Sequence, residues 1–194
     1  MVTVFGDQRS GNCLKVKWIL EYRGVSYDWI DVDVFAGETR TPDFLAHNPF
    51  GQVPVVDLGD GRHLAQSNAI VLHFARGTDL IPDEPFDKAK MLEWLFWEQY
   101  SHEPYIAVRR FHLFFAKADP ASLDPKLLEK GNQALSHLER ALSDTPFLTG
   151  EKVSAADLCL IAYTRLANEG GFDLDDYPAV LDWVRRTEDT LKIS

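Results

Sequence analysis

Apolar and polar residues change their period along this chain, and the change divides it in two. Val2-Thr-Val-Phe5 is a short β-branched run of the kind that forms strands. From Gly11, apolar Cys13, Val16, Ile19 and Leu20 recur at helical spacing up to Gly24. Tyr27 to Val34 then alternates apolar with acidic residues, as a half-buried strand does. A loop through Gly37 and a short helix near Pro42 to Ala46 lead to Asn48–Gly77. There Asn48-Pro49, Gly51 and Asp60-Gly61 bracket two apolar runs, which predicts a hairpin, and Ile70, Val71 and Phe74 predict a helix after it. The order is β-α-β-α-β-β-α.

Gly77 to Phe86 is rich in Pro and Asp and has no period, so the domain boundary falls there: residues 1–77, a linker 78–86, then 87–194. The remainder of the chain has a helical period. Met91, Leu92, Leu95, Phe96, Ile106, Val108, Leu113 and Phe114 mark one long helix from Asp87 to about Phe115, with Pro104 as a kink or break. Pro125 to Leu142 is a second. Ser154 and Asp157 have capping-box spacing, with Val153 and Leu158 placed as a staple, and start a helix from Ala155 to about Asn168. A last helix runs from Pro178 to about Leu191. The predicted fold class is an α/β thioredoxin-like N-terminal domain followed by an all-α C-terminal domain.

Composition narrows the function. In 194 residues, 45% hydrophobic content is ample for two packed cores. A formal charge of −10 argues against sequence-independent nucleic-acid binding, which neutralises phosphates with clustered Lys and Arg. No apolar run approaches the roughly 20 residues that span a bilayer, and a strand beginning at Val2 leaves no room for a signal peptide. The expectation is therefore a cytoplasmic protein without membrane partners. Cys13 and Cys159 lie in different predicted units, which favours free thiols in a reducing compartment. His47, His63, His73, His112 and His137 show no metal-ligand spacing.

Two places carry chemistry. Val53-Pro54 opens a hairpin strand where proline cannot donate to a ladder, so it is an edge or a cis turn with backbone groups open to an extended peptide. Ser67 precedes the next helix, and its hydroxyl with the amides after it forms an anion site. Together these predict a small anionic peptide as ligand. Ser10-Gly-Asn-Cys13 stands where disulfide oxidoreductases carry Cys-x-x-Cys, but its first position is serine, and one thiol cannot run a dithiol cycle. The ligand must bring the sulfur. Ser10 either donates to that sulfur or caps the helix, and Asn12 offers a second donor in the same turn.

These residues resemble the soluble glutathione transferases over nearly the whole chain. The resemblance implies that Val53 and cis-Pro54 pair with the cysteinyl backbone of glutathione, and that Gln66 and Ser67 hold its γ-glutamyl end. Gln66 stands where the family usually has an acid, which removes a charge from that contact. Ser10 would donate to the glutathione thiolate, as in theta- and delta-like members, with Asn12 as the alternative. Arg40 and Gln52 would meet the glycyl carboxylate, although Arg40 also reads as a solvated loop charge. The electrophile would lie between the domains against the helix bearing Trp94, Trp97 and Tyr100, touched by His102, Tyr105 and Arg109 on one face. The implied activity is conjugation of glutathione to small hydrophobic electrophiles, without metal or other cofactor, in a homodimer whose interface crosses both domains. Glutathione-dependent disulfide reduction or isomerisation, or a non-catalytic binding module, are the other readings. A zeta-like isomerase signature at the Ser10 turn is matched only in part.

Overall fold

The computed structural model describes residues 1–193, and these fall into two compact units, Met1–Thr78 and a second beginning at Asp79. In the first unit, β1 (Val2–Gly6), α1 (Gly11–Tyr22) and β2 (Tyr27–Asp31) are followed by α2 (Pro42–His47), β3 (Val55–Asp57), β4 (His63–Ala65) and α3 (Ser67–Ala75). The sheet order is β2-β1-β3-β4, with β1 parallel to β2 and antiparallel to β3. This is the thioredoxin-like arrangement. Alternation along the strands explains its two faces. Val4 and Val56 pack with Val16 and Leu20 of α1 and Ile70 of α3. Their neighbours Phe5 and Val55 point the other way, towards Val32 and Phe44 of α2.

Of the two alternatives for Val53-Pro54, an edge or a cis turn, the structure shows the second. β3 pairs on both sides, with β1 and β4, so it is not an edge strand. The chain accommodates Pro54 before the ladder begins, through a cis Val53–Pro54 peptide.

The second unit is helical: α4 (Pro85–Trp97), α5 (Glu103–Arg110), α6 (Pro125–Leu142), α7 (Ala155–Thr164) and α8 (Pro178–Leu191). The long helix expected up to Phe115 is interrupted. Pro104 lacks an amide, and a π-helical stretch over Glu98–His102 precedes it; a second spans Phe111–Phe115. All ten residues of α7 are buried, whereas α6 buries one stripe that includes Leu135, Leu138 and Leu142. α7 ends at Thr164, earlier than its pattern suggested, and the chain tightens into a 3₁₀ turn closed by Gly171 at φ +75°. Leu80 is fully buried, and its carbonyl accepts from the Ala155 amide at 2.9 Å.

Asp157 organises this unit. One carboxylate oxygen accepts from Leu148 N and Trp183 Nε1, both at 2.9 Å, and the other from Ser154 N and Oγ, both at 2.8 Å. The capping box read from the sequence is thus part of a buried knot tying α7 to the preceding loop and to α8. Burial pushes the Asp157 carboxyl up, and these donors pull it back down. Among the described residues, no helix is long and apolar enough to cross a membrane.

Candidate functional site

The loop from β1 to α1 is built around Asp7 and Arg9. The Asp7 carboxylate accepts from Arg9 N and Nε at 2.9 Å and from Nη2 at 2.7 Å, while the guanidinium lies 5.2 Å from the Phe35 ring centre. Sequence patterning did not single out this pair, although an acid two residues before an arginine in a tight loop is a legible signal. Ser10 then donates its amide to Asp7 O at 2.9 Å, and its own carbonyl accepts from Cys13 N and Leu14 N at 3.0 Å. Ser10 is the N-cap of α1 in extended conformation, yet its side chain makes no capping hydrogen bond.

Cys13 is fully buried, and Asp7 N donates to its sulfur at 3.4 Å. Burial pushes the thiol up to about 12, with the Asp7 amide and the Ser10 hydroxyl pulling the other way. At neutral pH it is a protonated core thiol.

Asn12, in the first turn of α1, accepts from Ser67 Oγ at 2.7 Å, and beside this pair Lys15 Nζ donates to Asn68 Oδ1 at 3.2 Å. At Ser67, where the sequence predicted an anion site, the hydroxyl is already engaged by Asn12. Gln66, not Ser67, is the cap of α3, and the buried Ser67 hydroxyl is directed at Asn12, so the backbone amides are what α3 itself presents. Gln66 sits at φ 69°, ψ 109°, a conformation rare outside glycine that costs on the order of 1–3 kcal/mol. No local pattern announced it.

The cis Val53–Pro54 bond comes after a loop fixed from inside by Asn48. Asn48 is 2% exposed; its Nδ2 donates to Gln52 O at 2.6 Å, and its Oδ1 accepts from Phe50 N at 3.1 Å. Gly51 adopts φ +62° and lies so close to Arg40 that a Cβ would strike the guanidinium. Arg40, itself exposed, makes a long 3.5 Å contact from Nη1 to Phe50 O. The fold thus brings Arg40 and Gln52 to one loop beside Val53, and joins Asn12 to Ser67 across two helices. His47 Nδ1 and His63 Nε2 also meet, 2.7 Å apart, an association their positions in sequence did not suggest.

In the helical unit, His102 is fully buried, with Nε2 2.9 Å from Thr164 Oγ1 on α7. Arg109 is 7% exposed and Tyr105 half-buried, so solvent reaches the three expected electrophile contacts to different degrees. A shallow groove of about 280 Å³ lies along another side of α5, lined by Gln99, Glu103, Pro104, Ala107, Val108 and Phe111; none of the expected electrophile residues lines it.

Comparison with known proteins bears on both units. Residues 9–76 match the family described as glutathione S-transferase, N-terminal domain, and residues 120–186 match glutathione S-transferase, C-terminal domain. A probable glutathione S-transferase GSTF2 from Oryza sativa subsp. japonica is 31% identical, over 93% of this chain and 88% of that protein. The disulfide-bond oxidoreductase YfcG of Escherichia coli (strain K12) is also 31% identical, over 89% of this chain and 83% of its own length. The crystal structure of a glutathione S-transferase from Pseudomonas fluorescens superposes with a TM-score of 0.94 at 46% identity, covering 96% of this chain and 94% of that one. With both halves of the chain matched in order and whole-length relatives above 30% identity, the protein belongs to the glutathione S-transferase family.

Proposed function

We propose that this protein is a glutathione transferase that joins the glutathione thiolate to small hydrophobic electrophiles. In this reading the first unit holds glutathione. Val53 and cis-Pro54 pair with its cysteinyl backbone, Gln66 and Ser67 with the α3 amides take its γ-glutamyl end, and Arg40 and Gln52 take its glycyl carboxylate. Ser10 donates its hydroxyl to the cysteinyl sulfur, with Asn12 as the other donor in the turn. The thiolate attacks an electrophilic carbon; the C–S bond forms, the leaving group departs with its bonding pair, and the thiol proton passes to solvent. The second unit supplies the electrophile contacts, from His102, Tyr105 and Arg109. A cytoplasmic homodimer is the expected state.

The observation that carries this reading is the Ser10 hydroxyl, which sits at the start of α1 without capping it. The magnitudes suffice. Lowering a thiol from about 8.5 to about 6.5 takes roughly 2.7 kcal/mol of preference for the thiolate. One hydrogen bond to a charged acceptor supplies about 1.5–3 kcal/mol, and a helix N-terminus about 0.3–1 more. Titration calorimetry with glutathione, together with turnover of a chlorodinitroarene, tests the proposal; the absence of glutathione uptake overturns it.

The likeness to YfcG favours a second reading, glutathione-dependent disulfide reduction. There the same thiolate attacks a disulfide sulfur and releases a thiolate, leaving a mixed disulfide. Turnover of hydroxyethyl disulfide without turnover of the arene selects it.

A further inference from the structure

We propose that Lys15 is a positioning residue for the carboxylate at the γ-glutamyl end of glutathione: it holds the Asn68 oxygen off the start of α3 and so leaves the helix amides to the ligand. The inference deepens the proposed function and rests on its assignment of that end of the tripeptide to α3.

Lys15 is fully buried, although a lysine on a helix ordinarily carries its nitrogen to solvent. A buried amine is costly unless it donates, and lysine has donors and no acceptor. Here Nζ donates to Asn68 Oδ1 at 3.2 Å. Asn12 lies three residues earlier on α1, hence on the same face, and accepts from Ser67 Oγ at 2.7 Å. One face of α1 thus grips the first two residues of α3, with an acceptor for Ser67 and a donor for Asn68.

The consequence falls on the backbone. The first amides of a helix have no partner within it, and an asparagine beside them tends to bend its side-chain oxygen onto them. In α3 the first bond runs from Ile70 N to Gln66 O at 3.0 Å, so the amides that precede Ile70 point out of the helix start. Gln66, the cap, makes no side-chain hydrogen bond to them. Ser67 gives its hydroxyl to Asn12, and Asn68 gives its oxygen to Lys15. A carboxylate is the kind of group such amides receive. Without Lys15, the Asn68 oxygen is released to compete with it for the same donors.

The test compares three thiols by titration calorimetry on the full chain. They are glutathione; glutaryl-cysteinylglycine, which keeps the γ-glutamyl carboxylate and lacks the ammonium; and 4-aminobutyryl-cysteinylglycine, which keeps the ammonium and lacks the carboxylate. Lys15→Met, which fills much the same space, is expected to weaken glutathione and the glutaryl compound about tenfold and to leave the aminobutyryl compound as it was. In turnover of a chlorodinitroarene the loss appears as a raised KM for glutathione at nearly constant kcat. Asn68→Ala takes away the competing oxygen, so adding it to Lys15→Met is expected to restore both affinities to within about threefold of the wild type, a rescue that a merely structural lysine does not give. Equal weakening of all three thiols, no weakening of any, or a loss that Asn68→Ala does not restore overturns the inference and leaves the transferase reading standing. Should Lys15→Met not fold, Asn68→Ala alone decides: the preference for thiols that carry the carboxylate is expected to persist in it, and its loss overturns the inference. Failure of the wild type to take up glutathione overturns the transferase reading itself, and the inference with it.

Discussion

Ser67 Oγ donates to Asn12 Oδ1 over 2.7 Å, joining the first residue of α3 to the first turn of α1 across 55 positions of sequence. Both helix starts belong to the proposed glutathione site, so this bond sets how the two approach the ligand. Asn12→Ala and Ser67→Ala are each expected to weaken glutathione binding about tenfold, the worth of one partly buried hydrogen bond. The double variant is expected to lose little beyond either single one, because each change already breaks the same contact. Calorimetry on the four proteins measures the coupling; strictly additive losses show that the residues act separately.

Ser10 and Cys13, three residues apart, are assigned opposite chemistry. Ser10→Ala is expected to lower turnover by one to two orders of magnitude, on the order of 1.4–2.8 kcal/mol, while retention on glutathione resin persists. Cys13→Ala is expected to leave turnover unchanged. With its thiol pushed up to about 12, only about one Cys13 in ten thousand is ionised at pH 8, so iodoacetamide is expected to leave it unmodified in the folded protein. Full turnover in Ser10→Ala moves the donor role to Asn12.

The same thiol makes stability depend on alkaline pH, with a definite sign. Folding raises Cys13 from 9.0 to about 12, so the folded state holds the proton more tightly. The stability this confers is complete below the unfolded value and is lost as pH rises from about 9 towards about 12. Between pH 8 and pH 10 the loss is about 1.4 kcal/mol. Urea unfolding at the two pH values is expected to show this decrement in the wild type beyond whatever Cys13→Ala shows; identical decrements refute the assignment.

What the sequence disclosed and what it withheld divide along a physical line. α6 and α8 begin and end where Pro125, Leu142, Pro178 and Leu191 placed them, because caps, prolines and apolar stripes are local signals. The Ser154–Asp157 spacing was legible for the same reason, but Trp183 and Leu148 donating to that carboxylate were not, since both arrive through tertiary packing. Gln66 in a glycine-like conformation and the Asn12–Ser67 bond have no periodicity to betray them. At the proposed site, residue types were visible in the chain, whereas their partners were not.

Asp157 is expected to be the most sensitive position in the helical unit. Its four donors each require an acceptor, and Asn at this position turns one oxygen into an amino group, leaving two donors without one. Asp157→Asn is expected to cost about 2–5 kcal/mol, and Ser154→Ala, which removes one donor and leaves the carboxylate, about 1 kcal/mol. Urea midpoints give both values. Near-equal losses show that the Ser154 hydroxyl, rather than the network, carries the stability.

Gln66 is where stability and binding are expected to oppose each other. Its φ of 69° suits glycine, so Gln66→Gly is expected to raise unfolding free energy by about 1 kcal/mol as the strain is relieved. The same change removes the side chain proposed to accept from the γ-glutamyl ammonium, so glutathione affinity is expected to fall. Gln66→Glu keeps the strain and restores a charge: a hydrogen bond between ions exceeds a half-neutral one by about 1 kcal/mol, which predicts glutathione binding tighter by about fivefold. That gain is expected to shrink as salt is raised, because the contact lies near solvent. If Gln66→Gly is no more stable and Gln66→Glu binds no tighter, the strained backbone at the start of α3 serves some purpose other than presenting this side chain to the peptide.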